Sequence, residues 1–264
     1  MNRIMILLMF CFLLPTWGVE AAERKKKDKQ DSVKVETEYD KLFKGPGCET
    51  AEGMITLHKK DGRVYFEMPL RLMGKEMLLG STVEEISDNN EALVGQKPHT
   101  PLHIYFTKID SAVQMRYVYN VSISNDKNIQ RAIETSNIGA ILENFPVKCM
   151  NNEKDAVVFD VTDFLVSDRE EIDPFDPNSA STYFGWMLRI SKFKKERSFI
   201  GDIKAFEDNI SVTSHLSYGV TMRALGMFEY QTDKPFTALV KRSLILLPDK
   251  PMRPRIADPR VGLF

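Results

Sequence analysis

Two histidines four residues apart are the first place to look for chemistry. His99-Thr100-Pro101-Leu102-His103 has the spacing that sets two imidazoles over a zinc ion on one helix face. The glutamate that would activate a metal-bound water is replaced by Thr100, and Pro101 stops a helix from continuing there. The pair therefore reads as polar residues at a strand entrance. His58 and His215 fall singly in strand-like runs, so no metal ligand is assigned. Asp168, Glu170, Glu171, Asp173 and Asp176 make an acidic loop, but no glycine between Ser167 and Tyr183 supplies the sharp turn of a calcium loop. A solvated loop is the simpler reading.

Nucleophilic chemistry has as little local support. There is no Gly-x-Ser-x-Gly elbow. Cys48 and Cys149 have no neighbouring histidine, and Ser214-His215 are adjacent strand residues that face opposite ways. The carboxylates Glu170-Glu171 sit in an exposed context, unlike the cleft-bound acids of a glycosidase. No catalytic residue is assigned. Asn120-Val121-Ser122 and Asn209-Ile210-Ser211 fit the glycosylation triplet, which has meaning only in a eukaryotic secretory route.

The elements that would position any site read as strands. Gly53 to His58 alternates, Asp61-Gly62 is a hairpin turn, and Arg63 to Met68 returns. Pro69 to Met73 reads as one helical turn capped by Gly74, and Glu76 to Val83 resumes a strand. Strands follow at 102–106 and 113–119. Asp126 caps a helix, and Gly139 separates it from a second short helix ending near Phe145-Pro146. Ala156 to Val161 is an apolar, central strand, and Asp163-Phe164-Leu165 starts a short helical segment or turn. Further strands are expected at 185–190, 200–206, 210–218, 222–230 and 236–247. With no repeat and no glycine-rich nucleotide fingerprint, the expected class is α+β, mostly antiparallel sheet with a few short helices.

Composition narrows the class of function. Hydrophobic residues are 43% of the 264 and charged ones 28%, which excludes wholesale disorder. Lys+Arg at 36 against Asp+Glu at 37 argues against nucleic acid as a partner. Met1-Asn2-Arg3 followed by the apolar run Ile4 to Leu14, Pro15 and Val19-Glu20-Ala21 matches a secretory signal peptide over 1–21. That run is too short for the roughly 20 residues that span a bilayer, so no stable span is expected after cleavage. The segment 22–37 carries Glu23-Arg24-Lys25-Lys26-Lys27-Asp28-Lys29 and reads as a disordered charged tether. Cleavage removes Cys11. Cys48 and Cys149 remain, either bridged or as two buried thiols. A small unit at 38–90, a larger β-rich unit at 91–250 and a proline/arginine tail at 251–264 complete the expected layout. The polar run Ser87 to Glu91 marks the soft boundary.

Three stretches carry a family likeness. They are Val157 to Phe164; Glu196 to Phe206 with Asn209-Ile210; and Arg242 to Pro248 continuing through Pro251-Met252-Arg253-Pro254-Arg255 and Asp258 to Phe264. Together they resemble the N-terminal half of a family of secreted bacterial zinc-dependent metalloproteases. Those chains carry a signal peptide, two uncharacterised domains and then a zincin catalytic domain with His-Glu-x-x-His. The smaller domain resembles residues 38–90 and the larger residues 98–264.

The resemblance implies an exported, periplasmic or extracellular, non-catalytic accessory or scaffold region. It would pack against a catalytic domain that follows Phe264, or guide its folding. Zinc is then expected only in that domain and no cofactor in this chain, which is expected to be inactive alone. Its partners are that domain and a peptide substrate, with Arg253, Arg255, Asp258 and Arg260 as candidate interdomain contacts. A truncated product, a fragment and a stand-alone remnant are all consistent with the sequence. The alternative is an independent extracytoplasmic module that binds peptide or glycan.

Overall fold

The computed structural model describes residues 36–97, 99–119, 124–173, 180–181, 187–225, 227–250 and 252. The chain runs α1 (Glu38–Phe43), β1 (Glu49–Ala51), β2 (Thr56–Lys60), β3 (Arg63–Pro69), a 3-10 turn (Leu70–Leu72) and β4 (Glu76–Ile86). It continues with β5 (Leu102–Lys108), β6 (Ala112–Tyr117), α2 (Lys127–Ser136), β7 (Ala140–Met150), β8 (Ala156–Asp160) and α3 (Thr162–Leu165). The last part holds β9 (Ala180–Ser181), β10 (Met187–Phe193), a 3-10 turn (Lys195–Arg197), β11 (Phe199–Ala205), β12 (Asn209–Ala224) and β13 (Phe228–Leu246). The protein is thus mostly antiparallel β-sheet with a few short helices.

One sheet holds these strands, in the order β1-β2-β3-β8-β7-β6-β5-β4-β13-β12-β10-β9, with β11 also paired to β12. The stretch 36–86 does not form a sheet of its own. Its β3 pairs with β8, and its β4 lies between β5 and β13. The sheet curls until β11 lies against β1 and β2. Met54 N donates to Phe206 O at 2.6 Å there, and Lys59 Nζ donates to Gly201 O at 2.6 Å. Gly53 permits this closure, because a β-carbon on it would sit 2.5 Å from Phe206 O. Inward residues of β2, β3, β5, β6, β8, β11, β12 and β13 then share one apolar core.

Local chemistry explains several elements. Asp61 and Gly62 both take positive φ, 51° and 75°, as a two-residue type I′ hairpin requires. Gly74, at φ 77°, ends the turn after Leu72. The Asp126 carboxylate accepts from the amides of Asn128 and Ile129 at 2.8 and 3.1 Å and starts α2. Four successive residues of β8, Ala156 to Phe159, are buried between β3 and β7.

Two expectations are corrected. The second helix before Phe145-Pro146 is strand β7, paired with β6 along its first part and with β8 along its last. Two neighbours needing hydrogen-bond partners outweigh the weak local preference of that stretch. The strands expected at 210–218 and 222–230 are divided elsewhere: β12 runs unbroken to Ala224, and the turn uses Leu225 at φ 50°. Gly219 is not a breaker. It admits the Asp233 carboxylate and the Lys194 stem, which a β-carbon would overlap. No helix among the described residues is long and apolar enough to cross a membrane.

Candidate functional site

The hairpin register creates a polar cluster on the outward face of the first three strands. Leu57 is fully buried in the core, so Thr56 and His58 on either side of it face the opposite way. His58 stands opposite Thr50 on β1, and Glu67 on β3 stands opposite Thr56, on the diagonal from His58. Helix α1 then lies over this face. It is held by a capping box in which the Thr37 hydroxyl accepts from Asp40 N. Thr37 Oγ1 donates to Asn152 at 2.7 Å, and Lys60 Nζ donates to the carbonyls of Leu42 and Lys44, both at 2.8 Å.

The cluster is a relay of hydrogen bonds. The Tyr39 hydroxyl donates to Glu67 Oε2 at 2.7 Å, and His58 Nε2 lies 2.8 Å from the same oxygen. His58 Nδ1 lies 3.0 Å from Thr50 Oγ1. Burial by itself would raise the Glu67 carboxyl, but the bonds from His58, Tyr39 and Asn151 outweigh it and hold the group below the usual carboxylate range. An ionised Glu67 only accepts, so Nε2 carries the hydrogen. In the neutral imidazole, Nδ1 is then the acceptor and the Thr50 hydroxyl the donor. Burial, then Glu67, push the Tyr39 phenol well above its ordinary value, so it stays protonated. Phe43 stacks on the imidazole with centroids 4.1 Å apart, fixing its plane.

A cleft of about 580 Å³ opens over the relay. Phe43, Cys48, Thr50 and Glu52 line it beside His58 and Glu67. His58 is only 5% exposed, whereas Thr50 is exposed. Cys48 Sγ lies 4.0 Å from Thr50 Oγ1. Both Cys48 and Cys149 are free thiols, and burial raises Cys149 above its usual value. Chemically, the arrangement supplies a hydroxyl, a base and a carboxylate that orients the base.

A second polar cluster is sealed inside. Arg242 on β13 is 2% exposed and donates from Nη1 to Ser81 Oγ at 2.6 Å and to the Ile172 carbonyl. Burial lowers its guanidinium to about 10, against the opposing influence of Tyr218 and Asp173. It remains charged at neutral pH.

The residues considered from sequence fall elsewhere. His103 lies 2.8 Å from Glu76 Oε2 across β4 and β5, and His99 is in an exposed bend. Ser214 Oγ donates to Leu165 O, while His215 stacks on Phe199 at 4.4 Å, so the two do not form a dyad. In the acidic loop, Glu170 and Glu171 are exposed, but Asp173 is 1% exposed, against the expectation of a wholly solvated loop. Its neighbour Ile172 is the residue that anchors Arg242, so this part of the loop is pulled inward. No group of three or more His, Cys, Asp or Glu side chains among the described residues is placed to hold a metal. Arg253, Arg255, Asp258 and Arg260 lie outside the described residues, as do the segment 1–21 read as a signal peptide, residues 22–35 of the expected tether, Asn120 and Asp176.

Tyr39, Thr50, His58 and Glu67 were not found as a set from sequence. Part of the signal was there. A two-residue turn at Asp61-Gly62 pairs Lys60 with Arg63, His58 with Tyr65 and Thr56 with Glu67, which sets His58 and Glu67 on one face.

No curated protein and no solved structure matches the chain. A domain of unknown function (DUF5118) matches residues 36–86, the stretch that carries the relay. The model of a second domain of unknown function (DUF5117) matches residues 95–264, most of the chain, and the protein belongs to that family.

Proposed function

We propose that this chain is an accessory scaffold region of an exported zinc-dependent metalloprotease, non-catalytic in peptide hydrolysis, and that it packs against the zincin domain or guides its folding. One observation carries the reading. The end of the β12–β13 hairpin gathers Leu225, Met227, Phe228 and Tyr230, which are 63 to 78% exposed. Four large apolar side chains within six residues of one turn are unusual on a surface that faces only water, and suit contact with another folded protein. The likeness of Val157 to Phe164 and of Arg242 to Pro248 to protease N-terminal regions gives the partner its class.

The test is co-refolding. A zincin domain from a resembling protease is refolded with and without the purified chain. A rise in recovered peptidase activity and a complex on size exclusion are expected, with Met227→Ser/Phe228→Ser abolishing both. Equal recovery in the presence and absence of the chain sinks the reading. The cleft over His58, with its aromatic wall of Tyr39 and Phe43, favours the second reading, a stand-alone extracytoplasmic module for peptide or glycan. Binding of oligosaccharide or peptide that Phe43→Ala removes, with no effect on co-refolding, would select it.

A further inference from the structure

We infer that the cleft between α1 and strands β1 to β3 is an acyl-transfer site, with Thr50 as nucleophile, His58 as general base and uncharged carboxylic esters as substrates. The structural requirement for an activated hydroxyl is a base within hydrogen-bond reach that is oriented by a third group. Thr50 Oγ1 is 3.0 Å from His58 Nδ1, and His58 Nε2 is 2.8 Å from Glu67 Oε2. These constellations are recognised by geometry and role rather than by chain order. Here the carboxylate holds Nε2 and leaves Nδ1 to the hydroxyl.

Burial separates this arrangement from a purely structural bond. The base is buried, the hydroxyl is exposed, and both line the same open cleft. The exposed hydroxyl is therefore open to an entering molecule, with the imidazole bonded to it from the buried side. A volume of about 580 Å³ suits a small ligand. The Tyr39 and Phe43 rings offer an apolar wall, and Glu52 with ionised Glu67 disfavour an anionic substrate.

In the first step Thr50 Oγ attacks the ester carbonyl carbon as its proton passes to His58 Nδ1. The tetrahedral adduct collapses, the C–O bond to the leaving alcohol breaks, and the alkoxide takes the proton from His58. Water then adds to the acyl-threonine, giving its proton to His58. Collapse of this second adduct returns that proton to Thr50 Oγ and releases the carboxylic acid. Glu67 and Tyr39 touch no reacting atom and are positioning residues. Cys48, 4.0 Å from Thr50 Oγ1, is the rival nucleophile.

The test uses the purified chain alone with EDTA and p-nitrophenyl butyrate, so that its result is independent of any metalloprotease partner. A burst of p-nitrophenol is expected, with butyrate mapped by peptide mass spectrometry to Thr50. Thr50→Ala, an exposed substitution that leaves the core intact, should lower the acylation rate about 100-fold, the order associated with activated nucleophiles and bases. Thr50→Ser and Cys48→Ala should retain it. Glu67→Gln should lower kcat with KM little changed, and circular dichroism checks that each variant is folded. Acylation of Cys48 or a lysine, or an undiminished rate in Thr50→Ala, overturns the assignment.

Discussion

Two polar clusters among the described residues are solved in opposite ways. His58 and Glu67 lie on the outer face of the sheet under a six-residue helix, with a cleft leading to them. Arg242 lies among apolar core residues, fixed by Ser81 and the Ile172 carbonyl. A polar network with an open side can exchange a proton or meet a ligand. A sealed one holds a charge that has no way out, so its worth is in fixing the fold. The first region should tolerate substitution at modest cost in stability, and the second should not.

The largest expected effect is therefore at Arg242. Arg242→Ala removes the donor to half-buried Ser81 and to the buried Ile172 carbonyl and leaves a cavity, and should cost about 4 kcal/mol by urea denaturation. Arg242→Met refills the volume and should recover much of that loss. Equal costs for the two variants would mean that the hydrogen bonds, not the packing, hold β13 to the acidic loop. Gly53→Ala comes next, at about 2 kcal/mol, because its β-carbon would meet the Phe206 backbone and push β11 away from β1 and β2. A silent Gly53→Ala would show that the two ends of the sheet are joined only loosely.

Tyr39→Phe should cost about 1 kcal/mol, since it removes one donor to a carboxylate that keeps others. Its effect depends on pH. The folded Glu67 pKa lies below the 4.5 of the free group, so folding favours the ionised form. The stability this contributes is fully present above about 4.5 and is lost as pH falls through the folded value. Tyr39→Phe weakens that depression. The gap between wild type and variant should be widest near neutral pH and close on acidification, as urea midpoints across pH 3 to 7 would report. A gap that widens in acid would contradict an ionised Glu67.

Much of the frame was legible in the sequence because it rests on local rules. Asp61-Gly62 dictated a hairpin, Asp126 a helix start, and the run Ala156 to Phe159 a strand covered on both faces. Strand β7 was not legible, because its conformation is decided by β6 and β8 on either side. The site divides in the same manner. His58 and Glu67 share a face by hairpin arithmetic alone. Thr50 joins them through the β1–β2 register, and Tyr39 only through the docking of α1 on Asn152 and Lys60, contacts between residues far apart in the chain. Arg242 was read as part of a family-like stretch. The alternation of Phe236, Ala238, Val240 and Leu244 places it on the inward face, but the charge of its own side chain argues against burial.

The smallest expected effect tests whether the two regions are mechanically separate. A helix of six residues cannot hold itself in water. The Thr37 cap and the bond to Asn152 therefore work with the Lys60 contacts to keep Tyr39 and Phe43 over the imidazole. Thr37→Ala removes both and should cost about 1 kcal/mol or less of global stability. Thr37→Ser should keep the cap. The amides of Lys41 and Lys44, bonded to Thr37 O and Asp40 O, should exchange faster with solvent deuterium in Thr37→Ala. The amides of β12 and β13 should exchange as before. Faster exchange in both places would mean that the lid and the sealed core open as one unit. The cleft would then be accessible only when the whole sheet loosens, and the relay could not act as a site in the folded protein.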